Sequence, residues 1–127
     1  MRLRKPAADK DFSISVAGFL HSKLLAMRTF YREDESMMNE VPNAGKLAEG
    51  TDYQIIRLIL KPGEAQVLHR NQRRVIFYVI NGKGVLQVDG RNFQLGMGDG
   101  AEVMTYEQRA WKNIGDEDLE LLVFKFL

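Results

Sequence analysis

GEAQVLHRNQRRVIFYVING (residues 63–82) decides the fold of this chain. A turn, Lys61-Pro62-Gly63, opens it. A short extended run, residues 65–68, leads to a lone histidine, His69. A polar and strongly basic loop follows: Asn71, Gln72, Arg73 and Arg74. Six apolar or aromatic residues, 75–80, then read as a strand that ends in the turn Asn81-Gly82. Two strands joined by a charged loop, with a histidine at its edge, form a site-like arrangement. In the second strand Val75, Phe77 and Val79 share one face, while Ile76, Tyr78 and Ile80 share the other. Both faces are apolar, so both need cover. One faces a core; the other needs the N-terminal segment or a second subunit, and a homodimer is expected.

Downstream the pattern is regular. Strands are expected at residues 53–60, 85–88, 93–95, 101–105, 110–113 and 119–127. Turn signals separate them, including Asp89-Gly90 and the cluster Gly96-Met97-Gly98-Asp99-Gly100. Many short strands with Gly-marked turns point to an all-β sandwich or barrel. Upstream the order is less legible. Residues 1–11 read as a flexible tail and residues 12–127 as one domain. Residues 12–20 read as a strand, and 21–31 fit strand or helix equally. Residues 32–50 read as a connection in which Met37-Met38 starts a short helix or fills the core.

The totals exclude several classes. A chain of 127 residues supports one core. It has no cysteine, which removes disulfides, thiolate metal sites and a cysteine nucleophile. A net charge of +1 and the lack of a basic-aromatic strip argue against nucleic acid as a partner. No apolar stretch is long enough to span a bilayer, and residues 1–11 lack the apolar run of a secretory signal, so a cytoplasmic protein is expected.

The turns and spacings resemble the cupin superfamily of double-stranded β-helix (jelly-roll) barrels. Against the motif G-x5-H-x-H-x3-4-E-x6-G, this chain keeps Gly63, His69 and Gly82. Asn71 stands at the second histidine and Val75 at the glutamate. Against G-x5-P-x-G-x2-H-x3-N it keeps Gly98 and Asn113. Met104, Tyr106 and Arg109 stand at the proline, the inner glycine and the histidine. The resemblance covers residues 53–127. It implies an all-β jelly-roll cupin barrel with an N-terminal extension.

Typical cupins hold a divalent metal with three histidines and a glutamate, and only His69 of that set is present. Asn71 is a weak neutral ligand and Val75 offers none. A permanently charged guanidinium at Arg109 would repel a dication. No metal cofactor is therefore expected; His21 is the one distant imidazole that could assist His69. The losses are consistent with a pocket for a small anionic or carbohydrate-like ligand, with His69, Asn71, Arg109, Arg57 and Tyr106 as candidate binding residues. Arg57 enters the barrel if the face it shares with Ile55 and Ile59 points inward; otherwise it packs against acidic residues of the N-terminal segment. Two enzymatic alternatives stand beside the binding protein. One is a metal-independent sugar isomerase or epimerase with His69 as general base and Tyr53, Tyr78 or Tyr106 as acid. The other is a metal-dependent cupin dioxygenase or isomerase with unusual ligands.

Overall fold

The computed structural model describes residues 27–38 and 43–127. These form nine strands: β1 (Ser36–Met37), β2 (Ala44–Glu49), β3 (Tyr53–Leu60), β4 (Val75–Asn81), β5 (Lys83–Val88), β6 (Arg91–Gly96), β7 (Gly100–Val103), β8 (Arg109–Asn113) and β9 (Leu119–Phe126). Six of them pair in the order β1-β2-β3-β9-β4-β7, and three in the order β6-β5-β8. Every pairing is antiparallel. The described residues are all-β with two sheets, as the jelly-roll expectation requires.

Alternation explains why the sheets face each other. Side chains alternate across a strand, so one parity of each strand is buried. β3 buries Ile56, Leu58 and Leu60, β4 buries Val75, Phe77 and Val79, and β9 buries Leu119, Leu121 and Val123. From the smaller sheet, β5 contributes Leu86 and Val88, and β8 contributes Trp111. The Phe77 and Trp111 rings meet across the sheets at 5.5 Å in an edge-to-face arrangement. Such a contact adds about 1 kcal/mol beyond its buried area. Local turn chemistry sets the registers. Asp89 (φ 46°) and Gly90 (φ 82°) are both left-handed, as the tight two-residue hairpin between β5 and β6 demands.

Asn113 is a structural residue. Its buried amide donates to the carbonyls of Leu60 and Glu117, and its oxygen accepts from the Gly115 N–H. It ties the end of β8 to the end of β3 and to the loop entering β9.

Three local expectations need correction. Residues 44–49, read as part of a connection, form β2. The sequence AGKLAE has little intrinsic strand preference, and pairing with β3 overrides it. Met37 lies in β1, so no short helix starts there; Met38 packs against the core. Residues 65–68 form no regular strand. They run beside β8, with Gln66 N–H donating to Trp111 O and His69 exchanging two backbone hydrogen bonds with Arg109. From residue 66 to 69 is three steps, against two from 111 to 109, so the edge is bulged. Val67 and Leu68 turn outward, 86% and 40% exposed. The unit Glu35–Leu127 contains all nine strands. In the preceding unit, Met1–Asp34, the described residues include one 3₁₀ turn, Arg32–Asp34, closed by Asp34 N–H on Tyr31 O. The tail expected at residues 1–11, the strand at 12–20 and His21 lie outside the described residues.

Candidate functional site

The bulge after Gln66 delivers His69 to the mouth of a cavity of about 90 Å³ between the sheets. Its polar lining is Gln66, His69, Asn71, Arg109 and Lys125. Ile56, Leu58, Val75, Phe77 and Val123 line its apolar part, with Met38 and Ala44 beside them. His69, Asn71, Val75 and Arg109 are the four positions that the cupin resemblance marks as metal ligands, and all four line this one cavity.

Each polar group has a defined setting. His69 Nδ1 lies 2.9 Å from the Val67 carbonyl oxygen. A carbonyl can only accept, so in the neutral ring Nδ1 carries the proton and Nε2 keeps the lone pair. Asn71 Oδ1 accepts from the Arg73 N–H, and the Asn71 carbonyl accepts from the Tyr106 N–H. The first bond closes the basic loop on itself, and the second holds it against the turn that precedes β8. The Gln66 side-chain oxygen accepts from the Trp111 N–H at 3.1 Å.

Arg109 is the unusual group. It is 1% exposed, on the inward face of β8. Nη1 donates to the Met104 carbonyl at 3.5 Å and Nη2 to the Arg73 carbonyl at 3.3 Å, both at the long limit of a hydrogen bond. Among the described residues its Nε–H has no partner, and neither has the indole N–H of Trp111 on the same strand face. No carboxylate among the described residues hydrogen-bonds the guanidinium. Burial pushes its pKa below the ordinary arginine value, while the charge of Glu107 acts in the opposite direction. It nonetheless stays protonated, because a guanidinium does not give up its proton in proteins.

Arg57 is treated in the opposite way, and its candidacy as a pocket residue is corrected. Ile56, Leu58 and Leu60 take the inward parity of β3, so Arg57 faces outward with Ile55 and Ile59. There Nε meets Glu120 at 2.7 Å and Nη1 meets Glu35 at 3.2 Å. Burial works to lower its pKa, but the two carboxylates override that and hold it above the ordinary value. The alternative expectation, that Arg57 packs against acidic residues upstream, describes the contact with Glu35.

Tyr106 is likewise outside the cavity lining. It is 61% exposed in the turn before β8, with φ at 69°. It occupies the inner-glycine position of the motif and keeps the left-handed backbone a glycine would adopt. A non-glycine residue there costs about 1–2 kcal/mol. Tyr106→Gly is expected to raise stability by about 0.5 kcal/mol in urea unfolding, because extra freedom of the unfolded chain offsets part of the relief. A clear loss of stability would mean that the ring packs productively. Among the other basic residues placed near the loop, Arg74 pairs with Glu102 at 3.0 Å and stacks on Phe126 at 4.5 Å. Tyr78 is on the outward parity of β4, 44% exposed, and Trp111 is core.

Lys125 is a site residue that sequence reasoning missed. Leu119, Leu121 and Val123 are inward on β9, so parity carries position 125 inward as well, directly opposite Val75. A lysine continuing an apolar face was a readable signal. Gln66 and Met38 carried none, because the bulge and β1 set their placement.

As a metal site the donor set does not fit. It offers one imidazole, neutral amides and two permanent or near-permanent cations, with no carboxylate in the lining. Among the described residues no group of three or more His, Asp or Glu side chains could hold a metal ion. No helix among them is long and apolar enough to cross a membrane.

Residues 56–125, more than half of the chain, match the family model described as cupin domain. Among solved structures, the chain is similar to a predicted oxalate decarboxylase from Thermotoga maritima at 20% identity and TM-score 0.67, covering 79% of this chain and 99% of that one. It is similar to KdgF from Halomonas sp. at 16% identity and TM-score 0.66, covering 78% and 93%. It is also similar to the polyketide cyclase RemF from Streptomyces resistomycificus at 16% identity and TM-score 0.67, covering 79% of each chain. At these identities the likeness is one of fold. No curated protein matches the chain.

Proposed function

The chain belongs to the cupin family, and from that premise we propose that it is a small-molecule-binding cupin whose pocket holds an anion without a divalent metal. One observation carries the proposal. Arg57, largely buried, is given two carboxylates in direct contact, whereas among the described residues no carboxylate hydrogen-bonds the more deeply buried Arg109, which feels only the charge of Glu107. A buried charge without a directly paired counter-ion costs several kcal/mol, and an anionic ligand would supply that direct partner. Lys125 adds a second positive charge to the same cavity, and His69 and Asn71 add hydrogen-bonding groups.

Binding is favoured over turnover by the setting of His69. A general base is usually oriented by a carboxylate or tyrosine, and this ring is held by the backbone carbonyl of Val67. Two measurements test the reading. Sodium salts of small anions are expected to raise the melting temperature in a saturable way, while neutral sugars leave it unchanged. Elemental analysis of the purified protein is expected to find far less than one divalent metal per chain. Stoichiometric retained metal would overturn the proposal.

The reading extends to a homodimer. The outward faces of β3, β4 and β9 carry Ile55, Ile76, Phe124 and Phe126 around an apolar groove. A second copy would cover this face. Light scattering at micromolar concentration is expected to give twice the chain mass; a monomeric mass would sink this part.

A further inference from the structure

The cavity lining combines two cations with a mostly apolar set of side chains, and that chemistry and the cavity's size narrow the ligand further. We propose that the occupant is a short aliphatic monocarboxylate of about four to six heavy atoms, from acetate to butanoate. This inference rests on the anion-binding reading above and goes beyond it in naming the chemical class. The carboxylate would lie against Arg109 and Lys125, and the alkyl body against Phe77 and Val123.

Volume sets the upper bound. An apolar protein cavity of about 150 Å³ takes benzene, which has six heavy atoms. A cavity of about 90 Å³ therefore encloses about four at the same density, and because it is open to solvent a further one or two atoms can extend into its mouth. A hexose has roughly twelve heavy atoms and hydroxyls on every side, so it fits neither the size nor the apolar part. Inorganic phosphate fits the size but not the polarity: its oxygens point in all directions, and those turned toward Ile56, Leu58 and Val123 would be stripped of water with nothing in return. Oxalate fails for the same reason at its second carboxylate. A cation is excluded by the two positive charges. A monocarboxylate has one charged end that accepts two parallel hydrogen bonds, which suits the guanidinium, and one end with no polar demand. The unpartnered Nε–H of Arg109 is a donor available to it once the side chain settles around the ligand.

Isothermal titration of the full-length protein with sodium acetate, propanoate, butanoate and hexanoate tests this, with propanamide, oxalate and phosphate as comparators. Affinity is expected to rise about fourfold per methylene from acetate to butanoate, the gain for each buried CH₂, and to stop rising at hexanoate. Propanamide, oxalate and phosphate are expected to bind at least tenfold more weakly than propanoate. Arg109→Gln and, separately, Lys125→Gln are expected to weaken propanoate at least tenfold; Lys125→Gln serves if Arg109→Gln does not fold. Phosphate or oxalate binding as tightly as propanoate would overturn the monocarboxylate while leaving the anion pocket standing. Failure of every anion to bind would overturn both. Propanoate binding that survives both substitutions would place the ligand elsewhere and overturn the proposal.

Discussion

Arg109→Met is expected to make the protein more stable and unable to bind its anion. Residue 109 is 1% exposed, and among the described residues no carboxylate hydrogen-bonds its guanidinium and its Nε–H has no partner. Its two hydrogen bonds are long, and each contributes at most about 1 kcal/mol. Against that, keeping an unpaired charge out of water costs several kcal/mol, and apolar replacement of buried charges in other proteins is neutral or stabilising by about 1–4 kcal/mol. Methionine is shorter but of similar volume, and it is flexible enough to fill most of the space. The carbonyls it abandons belong to Met104 and Arg73, both exposed residues at the surface, where water is near at hand to satisfy them. The net expectation is a gain of about 1–2 kcal/mol in urea unfolding. Anion affinity is expected to fall at least a hundredfold, equivalent to about 2.7 kcal/mol, the scale of a charge-assisted hydrogen-bonded pair. A loss of stability greater than about 1 kcal/mol would show that Arg109 is a strut of the fold. Activity bought with stability in this way is a common property of binding sites.

The second large effect belongs to Gly82. Its φ is 86°, and a Cβ there would stand 2.5 Å from the Asp118 carbonyl oxygen and 3.0 Å from the Leu119 Cα. Both obstacles are backbone, so no rotamer change relieves them. Leu119 is fully buried at the start of β9, the strand that joins β3 to β4. Left-handed alanine costs about 1–2 kcal/mol and the overlap about 1–3 more. Gly82→Ala is therefore expected to lose about 3–4 kcal/mol, a large share of the stability of an ordinary domain. Gly98 provides the control. Its φ is 88°, but nothing lies within 4 Å of its would-be Cβ, so Gly98→Ala should lose only the backbone part. Equal losses at the two positions in urea titrations would refute the close-approach argument.

These two residues differ in how far sequence alone could take them. Gly82 follows a run of six apolar residues and closes a recognisable turn, and its spacing from Gly63 and His69 places it in a cupin motif. The structure adds the reason, which is the proximity of residue 118, distant in sequence. Arg109 was legible as a position in the second motif but not as a state. The same chain contains Arg57, which reads equally well as a pocket residue. Which of the two faces inward depends on strand parity, and parity depends on which residues of β3 and β8 the opposing sheet covers.

Sequence by itself determined the fold class and the turns, because those depend on local φ/ψ demands and on alternation within single strands; the convergence of positions 69, 71, 75 and 109 was implied by the resemblance to the cupin motifs. It did not reach β2, whose alanines, glycine and lysine have no strand preference until β3 offers its edge. It left Lys125 unassigned although the parity of β9 was in view. Only the tertiary structure decided that Arg57 is neutralised by Glu35 and Glu120, that Tyr106 lies outside the cavity, and that Arg109 is sealed in with no carboxylate hydrogen-bonded to it among the described residues. Ion pairing and burial are set by residues brought together across the sheets, and no local pattern encodes which of them will meet.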